Sequence, residues 1–322
     1  MTYLAGDIGG TKTHLALYSQ SFEKLCEKKY PSQEFETLQT IIKDFAQQTS
    51  DPIKGACLGI AGPIKDNMCV ATNLPWTVKG SDVAATLGLK QAKLINDLEA
   101  NAYGIRKLGA KDFVILNEGK GAKGNQALIS AGTGLGEAGL YFDGHEHRPF
   151  ACEGGHCDFA PRTPQEIKLL NFLSARFGGH VSYERVLSGP GLYNIYTFLT
   201  ESESKERDER VEGAQEGERP KVVSDQGVSG SHPTCVEALE LFVSLYGAEA
   251  GNLCLKFLAI GGLYIGGGIA PKILNVLQSG PFMPSFIGKG RFDKLLSEVP
   301  VKVILNEETA LLGAAFVAIS QQ

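Results

Sequence analysis

The sequence predicts an α/β protein of two domains. Three observations carry this expectation. Short apolar strands alternate with helical patterns, glycine-rich turns close several of those strands, and 322 residues exceed the usual size of one domain. With 43% hydrophobic residues, the chain has ample material for a buried core.

Tyr3 to Ile8 reads as a buried strand and His14 to Tyr18 as its hairpin partner, with Gly9, Gly10, Thr11 and Lys12 forming the turn. Leu38, Ile41, Ile42 and Phe45 repeat at helical spacing and predict a helix over about 38–48. Gly55 to Ala61 is a second buried strand, ended by Gly62-Pro63. Ala92 to Asn96 is a third, with a helix starting near Asp97. Gln126 to Ala131 is a fourth, broken by Gly132-Thr133-Gly134. After Gly261 an apolar strand runs into the triple glycine Gly266-Gly267-Gly268, followed by Pro271 and a helix over 272–278. Glu201 to Lys221 carries eight acidic and five basic residues, with Val211 its only aliphatic side chain larger than Ala; it reads as an exposed loop or a solvated helix.

The formal charge is −5 with no basic patch, which argues against a nucleic-acid partner. The seven cysteines are scattered, odd in number and lack a Cys-x-x-Cys pair, as expected in a reducing cytoplasm. The first residues reach Asp7 without a basic region or a long apolar run, unlike a signal peptide. The most apolar tract, 253–270, is interrupted by Lys256 and five glycines, so no membrane span is expected.

Two loops have the chemistry of phosphate cradles. Gly9-Gly10-Thr11 and Gly132-Thr133-Gly134 each follow an apolar strand, where bare backbone N–H groups can approach phosphate oxygens and a threonine adds a hydroxyl. Asp7 stands at the strand end, where a carboxylate can hold Mg²⁺ through water. Either loop alone is more often a structural turn. Neither fits the P-loop or the dinucleotide-binding fingerprint. Polar residues also collect at strand ends: Asn96 with Asp97, Glu153 with His156, and Glu184. A sugar offers several hydroxyls, each donor and acceptor, and needs such groups; its phosphorylation also needs a carboxylate to take the hydroxyl proton. Taken singly, Asp97 is equally a helix N-terminal residue and His156 a structural histidine. Gly266, Gly267 and Gly268 present bare backbone against which a flat ring can stack, or simply a tight turn.

The ordered set Gly6-Asp-Ile-Gly-Gly-Thr-Lys, Leu94-Ile-Asn-Asp, Ala131-Gly-Thr-Gly-Leu-Gly, Glu153-Gly-Gly-His-Cys-Asp-Phe-Ala-Pro, Glu184-Arg-Val-Leu-Ser-Gly-Pro-Gly-Leu and Gly266-Gly-Gly-Ile-Ala-Pro resembles the bacterial glucokinases from about Leu4 to Gly313. The resemblance implies the two-domain actin-like ATPase (ribonuclease H-like) fold with a central cleft. The smaller domain is expected at 1–107 plus 301–322 and the larger at 108–300. It implies ATP-dependent phosphorylation of D-glucose at the 6-hydroxyl, with Mg²⁺, in the cytoplasm, by a homodimer. Asp97 would be the general base. Asn96, Asp97, Glu153, His156 and Glu184 would bind the sugar. Asp7, Gly9, Gly10, Thr11, Lys12, Gly132, Thr133, Gly134, Gly266, Gly267 and Gly268 would bind the nucleotide and its metal. Kinases of another hexose and non-catalytic sugar-binding regulators share the pattern as alternatives. The chain departs from it at Lys12, where many such enzymes have Asn, at Gly62, and in the 71–76 segment that often lines the sugar cleft. Cys152 and Cys157 lack further ligands at zinc spacing and read as buried small residues.

Overall fold

A computed structural model describes residues 1–71 and 74–320. The chain forms two compact units, Met1–Lys111 with Arg148–Ala151 and Asn306–Gln322, and Asp112–His147 with Cys152–Leu305.

The first unit opens with a meander of β1 (Thr2–Ile8), β2 (Lys12–Ser19) and β3 (Lys24–Pro31). α1 (Leu38–Ala46) leads to β4 (Ile53–Ile60). The short strands β5 (Ile64–Lys65), β6 (Met68–Val70) and β7 (Thr77–Lys79) make a small antiparallel sheet. Then come α2 (Gly80–Leu87), β8 (Lys93–Asn96) and α3 (Asp97–Ile105). The main sheet runs β3-β2-β1-β4-β8, with β1, β4 and β8 parallel and β2 antiparallel to both its neighbours. Tight turns join the antiparallel strands, whereas the parallel ones need crossovers, of which α1 provides the first. Both faces of β1 are covered. Leu4 and Ile8 join a core with Leu38, Ile41, Ile42 and Phe45, while Tyr3 and Ala5 join another. Burial on both faces is why the strand reads as a continuous apolar run.

The larger unit contains β9 (Phe113–Asn117), β10 (Gln126–Ala131) and β11 (Leu135–Phe142); β12 (His147–Cys152) pairs in the same sheet, with only its end residues His147 and Cys152 belonging to this unit. The helices α4 (Pro164–Phe177), α5 (Gly189–Glu201), α6 (Glu209–Gly213), α7 (Arg219–Val228) and α8 (Pro233–Phe257) follow. β13 (Gly262–Gly266), α9 (Leu274–Ser279), α10 (Phe282–Ile287), α11 (Asp293–Ser297) and β14 (Val301–Ile304) complete it. In its sheet the order β11-β10-β13-β14 repeats the arrangement of β2-β1-β4-β8: an antiparallel hairpin and then two parallel strands, with β9 closing the edge. This repetition underlies the likeness of the two glycine loops, and it is the actin-like layout the sequence implies. α8 is buried along most of its 25 residues and carries the core of this unit. No described helix is long and apolar enough to cross a membrane.

α12 (Thr309–Ser320) belongs to the first unit and packs on α3. A Cβ on Gly313 would collide with the carbonyl of Ala100, so this glycine sets how closely the helices approach.

Several expectations change. Val301–Ile304, expected in the smaller domain, pairs with β13 in the larger unit's sheet. The helix expected at 272–278 begins as a 3₁₀ turn, Ala270–Ile273, before α9. The charged segment holds two short helices rather than a uniformly solvated stretch, because Val211 is fully buried and Asp208 is 3% exposed. Asp208 caps α6 by accepting the Arg210 N–H at 2.8 Å, and its own N–H donates to Tyr196 Oη at 2.8 Å. Of the two cysteines read as buried, Cys152 is half-buried and Cys157 is exposed. In the 71–76 segment, Thr72 and Asn73 lie outside the described residues; Trp76 is buried, its indole N–H donating to Phe35 O at 3.1 Å.

Candidate active site

In the first unit the predicted residues gather at the ends of parallel strands. Asp7 lies in β1 one residue before Ile8, opposite His14 in β2. Burial pushes its carboxyl up, and the charges of Lys12 and then His14 pull the other way. Lys12 is therefore near Asp7 although its side chain is exposed. Gly9, Gly10 and Thr11 form the turn, closed by Gly9 N–H donating to Lys12 O at 2.9 Å. Asn96 ends β8 and caps α3: its Oδ1 accepts the N–H of Leu98 at 2.9 Å and of Glu99 at 3.4 Å, and its Nδ2 donates to Gly62 O at 3.1 Å. Its amide is largely engaged in holding the start of α3. Asp97 is the first residue of that helix, partly exposed, so the cap on Asn96 fixes where its carboxylate begins.

The larger unit brings the remaining residues together. Tyr183 N–H donates to Cys157 O at 3.0 Å, and Phe159 N–H to Val181 O at 2.8 Å. These bonds join the Glu153–His156 turn to the segment carrying Glu184. Glu153 and His156 are exposed at that turn. Glu184 Oε2 accepts the N–H of Leu135 at 3.0 Å, immediately after Gly132-Thr133-Gly134. That loop is held by Gly132 N–H donating to Gly134 O at 2.9 Å and by Gly189 N–H donating to Gly132 O at 2.8 Å. Ile269 N–H reaches Ala131 O at 3.4 Å, tying the turn after β13 to the same strand end. In that turn Gly267 adopts φ +83°, a left-handed conformation that favours glycine, and Gly267 and Gly268 are exposed while Gly266 is buried in β13.

Beside this loop lies a cavity of about 870 Å³, within the range of small-molecule sites. Its lining includes Gly132 and Thr133, Gly268 and Ile269 after β13, and Pro220 and Lys221 from the charged segment. That last contribution was not legible in the composition of the segment, which only announces exposure. A second cavity, about 780 Å³ in the first unit, is lined by Ile53, Lys90 and Ala318 among others and contains none of the predicted residues. Its lack of site chemistry sets it aside.

Two residues missed by the motif reading lie behind the turns. Glu137 in β11 is 1% exposed, and neither carboxyl oxygen has a hydrogen-bond partner among the described residues. Glu249 in α8 is fully buried and bonded to Lys256 Nζ at 2.9 Å and Asn252 Nδ2 at 2.8 Å. A lone carboxylate inside the apolar strand Leu135-Gly-Glu-Ala-Gly-Leu was the available signal for the first. Among other acidic clusters, Asp208, His232 and Cys235 converge, but Arg210 already pairs with Asp208 at 3.2 Å. His14, Glu27 and Glu308 converge likewise, with Lys24 bonded to both glutamates at 2.8 and 2.9 Å.

The glucokinase family model matches residues 4–321. The glucokinase of Synechocystis sp. is 41% identical, covering 99% of this chain and 98% of its own, and that of Nostoc sp. is 42% identical, covering 98% of each. Among solved structures, glucokinase from an Antarctic psychrotroph superposes with a TM-score of 0.83 at 30% identity, covering 98% of both chains. Glucokinase from Balamuthia mandrillaris in complex with glucose has a TM-score of 0.82 at 22% identity, covering 98% of this chain and 93% of that one, and shares the fold. The repeated hairpin-and-parallel-strand sheet, the two glycine loops and a match over nearly every residue agree: the chain belongs to the glucokinase family.

Proposed function

We propose that this glucokinase phosphorylates D-glucose at the 6-hydroxyl with ATP as donor, Asp97 acting as general base. The observation that carries the reading is the bond from Leu135 N–H to Glu184 Oε2, which fastens a sugar-binding carboxylate to the end of a phosphate loop. Glu153 and His156, joined to the same segment through Cys157 and Tyr183, supply further donors and acceptors for sugar hydroxyls. Gly132, Thr133 and Gly134 receive phosphate oxygens on backbone N–H groups. The adjoining cavity takes the nucleoside against Gly268, Ile269 and Pro220. Gly9, Gly10 and Thr11 supply the first phosphate loop.

Asp7 suits a hard cation. Its carboxyl is buried where charge is disfavoured, and a divalent ion would stabilise the ionised form. Mg²⁺ held there through water would neutralise charge on the phosphates. Asp97 takes the 6-hydroxyl proton as that oxygen attacks the γ-phosphorus, and ADP leaves. The two units serve as the two domains of a cytoplasmic, homodimeric kinase. A coupled assay across a panel of hexoses and phosphoryl donors tests the reading. Turnover is expected with glucose and ATP; a strong preference for another hexose, or none at all, overturns it.

A further inference from the structure

We propose that Glu137 is a positioning residue that carries a proton in the sugar-binding enzyme, its neutral carboxyl packing beneath Gly154 to fix the turn that presents Glu153 and His156. The inference rests on the sugar reading of that turn.

The geometry is specific. A Cβ on Gly154 would collide with Glu137 Oε2, so backbone and carboxyl are in direct contact. A Cβ on Gly155 would collide with the Leu135 carbonyl, so the whole turn lies flat on β11. Cys152 Sγ, one residue before Glu153, reaches Glu137 O at 3.4 Å. Nothing among the described residues donates to either Glu137 carboxyl oxygen. An ionised carboxylate without a protein donor is costly in so buried a place, and a neutral one is tolerated.

The charged surroundings agree. α8 presents Glu249, Lys256 and Tyr246, and β12 presents Cys152. The turn adds Glu153, His156 and Cys157, and β10 adds no titratable group. Lys256 is bonded to Glu249, which blunts its pull. Burial first and Glu249 second raise the Glu137 carboxyl to about 8, against Lys256. Glu249 also lies behind the other sugar segment, because Asn252 Nδ2 bonds both Glu249 and the Tyr183 hydroxyl at 2.8 and 3.1 Å. Ionisation of Glu137 would draw water in and displace Gly154, and with it Glu153. Sugar would then bind the protonated form preferentially, and binding would take up a proton.

The test is KM for glucose and kcat from about pH 6 to 9.5. Wild-type KM should be level below about pH 8 and rise up to about tenfold per pH unit above it, with kcat changing much less. Glu137→Gln should retain the low KM and lose the alkaline rise. A level wild-type KM through the range, or the same rise in Glu137→Gln, overturns the proposal. Calorimetry on the wild type at pH 8.5, in two buffers of different ionisation enthalpy, needs no variant to fold. It should show uptake of roughly three quarters of a proton per glucose, and zero exchange overturns the role of Glu137. Glu153→Gln separates the two levels. Undiminished glucose affinity there removes the sugar reading and the proposal together. Lost affinity without proton uptake in the wild type removes only Glu137.

Discussion

Glu184 and Leu135 lie 49 residues apart in sequence and meet in one hydrogen bond of 3.0 Å between a carboxylate oxygen and a backbone N–H. The bond places the Glu184 carboxylate at the end of the Gly132-Thr133-Gly134 loop. A Cβ on Gly134 would lie 2.5 Å from the same oxygen, so a side chain there would push the carboxylate away from its bond to Leu135. In the proposed reading, sugar and phosphate recognition share this piece of backbone.

Glu184→Gln retains an acceptor for Leu135 and removes the charge. A charged acceptor contributes roughly 1.5–3 kcal/mol to a hydroxyl bond. The KM for glucose should rise roughly ten- to a hundredfold, with the melting temperature nearly unchanged. Calorimetry of glucose binding checks it; undiminished affinity would confine Glu184 to bracing the loop.

Asp97→Asn preserves the shape at the first turn of α3 and removes the basic oxygen. Loss of a positioned base costs about 10²–10⁴-fold in rate. The variant should bind glucose with little change and turn over correspondingly more slowly. Single-turnover kinetics with saturating ATP give the comparison. A rate within a few-fold of wild type assigns the proton transfer elsewhere.

Lys12 is exposed yet favours the Asp7 carboxylate by its charge. Exposed charge pairs contribute about 1 kcal/mol or less. Lys12→Ala should therefore raise the KM for Mg·ATP by a few-fold and leave glucose binding without nucleotide unaltered. Titration of both ligands decides the matter, since wild-type ATP kinetics would place the ammonium outside the phosphate site.

The glycine loops were legible because the requirement for bare backbone is local: Gly9-Gly10-Thr11 and Gly132-Thr133-Gly134 each fall at the end of an apolar strand. Asn96 was legible as polar but not as a cap, a role that depends on its Oδ1 meeting Leu98 and Glu99. The charged segment misled in part. Its composition conceals that Val211 anchors it and that Pro220 and Lys221 line the cavity beside Gly132.

By itself the sequence determined the α/β class, the paired glycine turns and the family, because these follow from periodicity and from short ordered stretches of residues. Only the tertiary structure decided which stretches meet. The Cys157–Tyr183 and Leu135–Glu184 bonds bring the Glu153–His156 turn and the Glu184 segment to the Gly132-Thr133-Gly134 loop through contacts remote in sequence. It also decided that Glu137 is enclosed. Residue type specifies a carboxyl group, but its ionisation depends on how much water and which charges the fold leaves around it.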